Sequence, residues 1–224
     1  MIDLSVLAGG LIVSCQARKD NALHGPVHMS AAAVAAVRGG AVGIRAEGAA
    51  DVAAIRAAVD VPIIGIRKIL DGRPVYITPS LEVAAEVVAS GADIVAVDAS
   101  LRDRDGGESG ATLIRRIREE LGVRVMADID GIPAAEAAAE AGADLISTTL
   151  SGYTGGTVPA EPDIALISDL RGRVDAPVVA EGRIWSPQDV TDAFEAGAWA
   201  VVVGTAVTNP QRITARLVTG IPAR

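Results

Sequence analysis

Lys68 is the residue best suited to moving a proton. The sequence has 20 basic side chains, and only Lys19 and Lys68 among them are lysines. Arginine stays protonated in proteins, whereas lysine can lose its proton when it is desolvated or lies near another cation. Strand alternation places Lys68 on the same face as Ile66 and Ile64. We therefore expect the Lys68 amine to face inward and to act as an acid or base.

Other polar residues end the apolar segments on either side of Lys68. In chain order they are Gln16, Arg45, Asp98, Asp128, Thr148, Thr149 and Glu181, and the last apolar segment ends at Gly204. Polar residues are also common wherever a strand reaches solvent. However, burying charges of both signs in one enclosed site is costly unless they form ion pairs or take part in the chemistry. The set predicts an active site. A purely structural ion pair of Lys68 with Glu181 or Asp128 is the alternative.

An internal repeat positions these residues. Ala-rich stretches of helical character end at Gly40, Gly91, Gly142 and Gly197, and an apolar segment follows each glycine. Glycine suits a helix C-terminus because it adopts positive φ without strain. The glycines are 51, 51 and 55 residues apart, which is the length of two βα units.

The repeat predicts eight strands, at about 11–16, 41–46, 62–68, 94–99, 124–129, 145–150, 177–182 and 200–205. Regular alternation of strands and helices favours a parallel sheet, and eight strands close into a barrel. The 224 residues match the length of such a domain, roughly 200–250 residues. The predicted fold is an α/β protein, a single-domain (β/α)8 TIM barrel over residues 1–224. An open doubly wound sheet is the alternative.

A matched pair of glycines ends the last two strands. Gly182 and Arg183 follow Glu181, and Gly204 precedes Thr205. In many barrels this corner binds phosphate through backbone N–H groups, and glycine lets an anion approach the backbone closely. We predict a phosphate site at Gly182, Arg183, Gly204 and Thr205. Two ordinary turn glycines are the alternative.

Composition excludes several function classes. The formal net charge of −8 disfavours nucleic acid and anionic membranes as partners. No apolar stretch approaches the roughly 20 residues of a membrane span, and no signal peptide is evident. The single cysteine, Cys15, fits a reducing cytoplasm and should be buried and inert. His24 and His28 lack the spacing of metal ligands, so no metal site is expected.

Seven segments, in order and over nearly the whole chain, closely resemble the N-acetylmannosamine-6-phosphate 2-epimerases. They are GLIVSCQA at 10–17, GGAVGIR at 39–45, VYITP at 75–79, MADI at 126–129, TTLSGYT at 148–154, AEGRI at 180–184 and VGTAVT at 203–208. The chain departs from the usual family pattern in residues 69–74 and at Asp130, which affects the expected substrate preference more than the reaction class.

The resemblance implies a cofactor-independent isomerase that converts N-acetylmannosamine 6-phosphate to N-acetylglucosamine 6-phosphate in sialic acid breakdown. It also implies a homodimer. Lys68 and Glu181 are implied as catalytic residues. The substrate-binding residues implied are Gln16, Arg45 and Asp128. The implied phosphate-binding residues are the same four at the ends of the last two strands, namely Gly182, Arg183, Gly204 and Thr205.

The expected mechanism is proton transfer on the open-chain sugar. Neutral Lys68 takes the C2 proton and one returns to the opposite face, directly or by relay, while Glu181 assists ring opening or proton return. Arg45 stabilises the enolate oxygen. Two alternatives stay open: a Schiff-base lyase or aldolase acting on a small phosphorylated sugar, and a barrel that binds phosphosugars without catalysis.

Overall fold

The structure is a computed structural model that describes residues 2–222. Residue 1 and residues 223–224, the two ends of the predicted domain, lie outside the described residues. Within the described range, eight parallel strands pair in chain order and close into one barrel. The prediction of a (β/α)8 TIM barrel is confirmed.

Strands and helices alternate along the chain. The strands are β1 Leu11–Cys15, β2 Gly43–Glu47, β3 Ile63–Ile66, β4 Ile94–Asp98, β5 Arg124–Asp128, β6 Leu145–Ser147, β7 Val178–Glu181 and β8 Ala200–Val203. The helices are α1 Pro26–Arg38, α2 Ala49–Arg56, α3 Leu81–Ala89, α4 Gly110–Arg116, α5 Ile132–Glu140, α6 Ile164–Leu170, α7 Pro187–Glu195, α8 Thr205–Thr208 and α9 Pro210–Val218. A π-helical turn, Ile117–Leu121, continues α4, and 3₁₀ turns lie at Leu4–Leu7, Asp105–Gly107 and Thr148–Leu150.

The repeat glycines adopt the conformation that the sequence predicts. Gly40, Gly91, Gly142 and Gly197 have φ values of +102°, +104°, +88° and +106°. Each follows a helix and turns the chain toward the next strand, so the repeat reflects the βα architecture itself.

Three of the predicted strands extend two or three residues too far. β3 ends at Ile66, and Lys68 instead pairs with Ile77 in an antiparallel bridge, so the following loop folds back as a short hairpin. β6 ends at Ser147 because Thr148 turns its hydroxyl to the backbone of Glu181. β8 ends at Val203, and the next residue caps α8.

Aliphatic side chains fill two layers. Inside the barrel, Ile12, Ile64, Met126 and Val179 belong to one fully buried cluster. A larger cluster lies between the strands and the helices and includes Cys15. Burial raises the pKa of the Cys15 thiol to about 12, so this side chain is a packing group and not a nucleophile. Burial on both faces explains the continuous apolar segments of the strands.

The turn Leu4–Leu7 closes the end of the barrel where the strands begin. The Asp3 carboxylate caps this turn by accepting a hydrogen bond from the Ser5 N–H at 3.0 Å. Leu7 is fully buried in the inner cluster. Truncating it leaves a cavity, so we expect Leu7→Ala to lower the free energy of unfolding by about 2–5 kcal/mol.

Urea denaturation measures this loss. Val6, in the same turn, is 51% exposed, and Val6→Ala serves as the matched control with little expected effect. A loss below about 0.5 kcal/mol for Leu7→Ala, the range of an ordinary surface substitution, would contradict the packing role of this turn.

In the described residues no helix has the length and apolar character needed to cross a membrane.

Candidate active site

A buried cluster of three charged side chains lies across the carboxyl end of the barrel. The Arg45 Nη1 and Nη2 atoms donate to the two Asp128 carboxylate oxygens at 2.9 and 2.5 Å. Arg45 Nη1 also donates to Glu181 Oε2 at 2.7 Å. Charges removed from water need partners and good geometry, and these three side chains supply both to one another, although Arg45 Nε has no hydrogen-bond partner in the described residues.

Glu181 is the member of the cluster most accessible from the mouth. Its side chain is 14% exposed, compared with 1% for Arg45 and 0% for Asp128. Its Oε2 atom is held by Arg45 and by the Thr149 hydroxyl at 3.1 Å. Its Oε1 atom accepts no hydrogen bond from any residue between 2 and 222, so this oxygen can meet a ligand.

Lys68 is held by an amide and not by a carboxylate. Its Nζ atom donates to Gln16 Oε1 at 2.7 Å, and the Gln16 amide nitrogen donates to Ser14 Oγ at 2.8 Å. The described residues form no salt bridge with Lys68. The backbone N–H of Lys68 is fixed separately, by a 3.2 Å bond to Glu47 Oε1. The amine is therefore positioned without an ion-pair partner to keep it protonated.

The pKa values of Lys68 and Glu181 are shifted toward each other. Burial lowers the pKa of Lys68, and the positive charge of Arg45 lowers it further, against the opposing effect of Glu181. Burial raises the pKa of Glu181, and the negative charge of Asp128 adds to this, while Arg45 acts against it. A buried amine and a buried carboxyl of this kind are suited to paired acid and base roles.

The two corner glycines lie at the end of the last strands as the sequence predicts. Gly182 has a φ of +115°, which favours glycine, and Gly204 is the N-cap of α8. The backbone N–H groups of Gly182, Arg183, Gly204 and Thr205 donate to no other part of the described chain. These donors are consistent with an anion site, because backbone N–H groups require a partner or water.

The Arg183 side chain fastens the loop after β6. Its Nε donates to the Glu161 carbonyl at 2.6 Å, and its Nη1 donates to the Ser151 carbonyl at 2.5 Å. Its guanidinium also lies 5.3 Å from the centre of the Tyr153 ring. The predicted phosphate contact of Arg183 thus depends on its backbone N–H, which is turned by an unusual φ of +60°.

Asp98 does not converge on the site although it also ends a strand. Its carboxylate accepts hydrogen bonds from the Ser100 N–H and hydroxyl at 3.0 and 2.6 Å and from Arg102 Nη2 at 2.6 Å. These contacts organise the loop after β4, so Asp98 has a structural role.

The strand-end pattern includes Thr149 in the predicted site without a specific role, and it does not identify Ser14 or Ser147. Thr149 bridges Asp128 and Glu181, and Ser147 lies 2.8 Å from the Thr149 hydroxyl. The signal available was the run of three hydroxyl residues from Ser147 to Thr149. Ser14 had a weaker signal, since strand alternation places it on the face of Gln16.

Neither histidine takes part in the site. His24 Nδ1 lies 2.8 Å from the Ala17 carbonyl, and both histidines are exposed. No group of three or more potential metal ligands occurs between residues 2 and 222.

Sequence comparison connects this geometry to known proteins. The family described as "Putative N-acetylmannosamine-6-phosphate epimerase" matches residues 29–223. A protein of Caldanaerobacter subterraneus named "Putative N-acetylmannosamine-6-phosphate 2-epimerase" is 48% identical over 97% of this chain and 93% of its own. A protein of Cutibacterium acnes with the same name is 47% identical over 94% of this chain and 93% of its own.

Solved structures agree with the sequence comparison. The N-acetylmannosamine-6-phosphate 2-epimerase from Clostridium perfringens superposes with a TM-score of 0.92 at 39% identity, covering 96% of this chain and 95% of that one. The thiamine phosphate pyrophosphorylase from Pyrococcus furiosus, at 18% identity and a TM-score of 0.61, shares the fold alone. With the family match and the relatives at nearly half identity, this chain belongs to the N-acetylmannosamine-6-phosphate epimerase family.

Proposed function

We propose that this protein is an isomerase that converts N-acetylmannosamine 6-phosphate to N-acetylglucosamine 6-phosphate without a metal or organic cofactor. The observation that carries the proposal is the contact of Lys68 Nζ with the neutral amide of Gln16. An amine can donate to an amide oxygen in either protonation state. Lys68 can therefore give and take a proton while it stays in position.

The reaction requires an acidic hydrogen at C2. That hydrogen is acidic only beside a carbonyl, so the sugar ring first opens to the aldehyde. Neutral Lys68 takes the C2 proton, and the bonding electrons move toward O1 as an enolate. Protonated Glu181 returns a proton to the opposite face of C2, which inverts that carbon. Arg45 stabilises the enolate charge, while Gln16 and Asp128 hold hydroxyl and acetamido groups.

The charges of the site leave one proton to be shared by Lys68 and Glu181. Arg45 and Asp128 cancel each other in their bidentate pair. One further proton makes the site neutral overall, whether the pair is amine with carboxylic acid or ammonium with carboxylate. The lowered pKa of Lys68 and the raised pKa of Glu181 both shift the balance toward the first form. One turnover converts the first form into the second, which serves the reverse reaction.

The phosphate is proposed to bind at the corner formed by Gly182, Arg183, Gly204 and Thr205. A methyl group at Gly182 would strain a φ of +115° and so would disturb the backbone N–H groups of the corner, and its nearest neighbours would be Tyr153 Cε2 at 3.9 Å and the Thr149 carbonyl at 4.0 Å. We expect Gly182→Ala to raise KM for the phosphosugar roughly tenfold, equivalent to about 1.4 kcal/mol of binding, with a smaller change in kcat.

Steady-state kinetics measure this effect, and Gly155→Ala is the matched control. Gly155 lies in the loop after β6 at an ordinary φ, and an added methyl there meets nothing within 4 Å. An unchanged KM in Gly182→Ala would remove this corner from the proposed phosphate site.

The proposal extends to the setting of the enzyme. The names of the relatives point to amino-sugar phosphate metabolism, which supports a place in sialic acid breakdown in the cytoplasm. The family resemblance supports a homodimer of single-domain subunits acting on a small phosphorylated amino sugar.

The proposed function is tested with purified protein dialysed against EDTA. Proton NMR is expected to show N-acetylmannosamine 6-phosphate approaching equilibrium with its C2 epimer. A borohydride-trapped substrate adduct on Lys68, with cleavage products, would indicate a Schiff-base lyase instead. Tight binding without conversion would indicate a phosphosugar-binding barrel.

A further inference from the structure

The two threonines that follow β6 hold opposite ends of Glu181. The Thr148 hydroxyl donates to the Glu181 carbonyl at 3.0 Å and accepts from the Glu181 N–H at 3.0 Å. The Thr149 hydroxyl lies 3.1 Å from Glu181 Oε2. One dipeptide thus fixes both the main chain and the carboxylate of a single residue on the neighbouring strand.

The Thr149 hydroxyl has one proton and two carboxylates within reach. Besides Glu181 Oε2, it lies 2.8 Å from Asp128 Oδ1. Ser147 Oγ lies 2.8 Å from Thr149 Oγ1, and Ser147 is fully buried. Because the Ser147 hydroxyl has no other side-chain partner in residues 2–222, it donates its proton to Thr149. Arg45 Nη1, at 3.4 Å, is a second donor to the Thr149 oxygen. The Thr149 hydroxyl proton can therefore be donated to a carboxylate oxygen of either Asp128 or Glu181.

We infer that Thr149 is a positioning residue whose hydroxyl turns between Asp128 and Glu181 as Glu181 loses and gains a proton, while Thr148 fixes the backbone from which Glu181 reaches. When Glu181 is a carboxylate, the Thr149 O–H donates to its Oε2. When Glu181 carries the proton on its ligand-facing Oε1, Oε2 becomes an uncharged and weaker acceptor, and the Thr149 O–H donates to the closer Asp128 Oδ1. The step is a rotation about the Cβ–Oγ bond, and no covalent bond breaks.

This inference rests on the proposed function, because Glu181 exchanges a proton with substrate only if it takes part in the reaction. The hydrogen bond from Thr149 favours the charged form of Glu181 and so lowers its pKa, against the larger effect of burial. Removing the hydroxyl should raise that pKa further. The same change should leave the backbone contacts of Thr148 intact.

The test is the pH dependence of kcat/KM in four variants and the wild type. Thr149→Val keeps the shape without the hydroxyl, so the apparent pKa of the limb at which Glu181 gives up its proton is expected to rise by about one pH unit, the size of one hydrogen bond to a charged group. Thr149→Ser keeps the hydroxyl, so the apparent pKa of this limb should equal the wild-type value. Thr148→Val should lower kcat roughly tenfold because Glu181 is misplaced, but the apparent pKa of this limb should stay unchanged. Thr191→Val, on the exposed face of α7, is the control.

Two results would overturn the inference: a pH profile with neither limb moved in an active Thr149→Val protein, or a limb displaced from its wild-type position in Thr149→Ser. The second comparison decides the matter even if Thr149→Val does not fold, which circular dichroism reports. Failure of the proposed function is distinguishable, because the wild type in the same series would then convert no substrate.

Discussion

Replacing Lys68 with alanine is expected to lower kcat/KM for N-acetylmannosamine 6-phosphate by on the order of 10³-fold, within the range of a general base. Lys68→Arg should be similarly impaired, because arginine keeps the positive charge but stays protonated. The fold should survive, since within residues 2–222 the Lys68 side chain makes a single hydrogen bond, from Nζ to Gln16. Steady-state kinetics and circular dichroism check both expectations.

The chain offers a matched control in its other lysine. Lys19 is exposed in the loop after β1, and Lys19→Ala should turn over at the wild-type rate. In the wild type, activity that depends on neutral Lys68 should rise with pH through a pKa below the ordinary value for lysine, because burial and Arg45 both disfavour the ammonium form. An active Lys68→Ala protein, or a Lys68→Arg protein with normal kcat, would remove Lys68 from the mechanism.

Removing Arg45 is expected to lower the free energy of unfolding substantially. Arg45→Met leaves the buried Asp128 and Glu181 side chains without their shared positive partner. Breaking a buried pair from one side costs about 3–5 kcal/mol, so we expect a loss of that size in urea denaturation at neutral pH. Arg116→Met is the control, because Arg116 is 40% exposed and pairs with Glu108 and Glu120 at the surface, where a pair contributes about 1 kcal/mol or less.

The loss in Arg45→Met should shrink as the pH falls. Arg45 is a cause that lowers the pKa of Glu181, so its removal leaves that pKa raised further above the value in the unfolded chain. The folded variant then binds more protons than the unfolded chain between those two pKa values, and stability increases as pH decreases through this window. A loss that is below about 1 kcal/mol, or that grows in acid, would contradict the stabilising role of Arg45 in the cluster.

The barrel was predictable because its signals are local. The glycines at Gly40, Gly91, Gly142 and Gly197 follow from the need for positive φ after a helix, and the apolar segments follow from strands buried on both faces. Strand ends were less predictable because side chains decide them. Thr148 ends β6 with a hydroxyl bond to a residue 33 positions away, which no local pattern reports.

The site was predictable as a set of positions but not as a set of partners. The strand-end rule brings Gln16, Arg45, Lys68 and Glu181 to one mouth. It does not say that Lys68 contacts Gln16 and that Glu181 contacts Arg45. Strand-end positions alone do not say whether Arg45, which lowers the pKa of Lys68, or Glu181, which raises it, has the stronger effect. The geometry adds burial as the largest influence, and the pKa of Lys68 is lowered.

Hydrogen-bond partners also separate residues that look alike in sequence. Asp98 and Asp128 are both aspartates at the ends of adjacent strands. The Asp98 carboxylate is used within its own loop by Ser100 and Arg102, whereas Asp128 holds Arg45 across the barrel. The difference depends on the loop after β4, whose conformation the strand pattern does not specify.

We expect this site to exchange the C2 hydrogen of the sugar through Lys68. The most direct measurement is proton NMR of the wild type with N-acetylmannosamine 6-phosphate in deuterated water, beside Lys68→Ala. We predict that the newly formed epimer carries deuterium at C2 and that Lys68→Ala forms neither epimer nor deuterated sugar at a comparable rate. An epimer that keeps its original C2 hydrogen, or normal exchange in Lys68→Ala, would contradict proton transfer by this lysine.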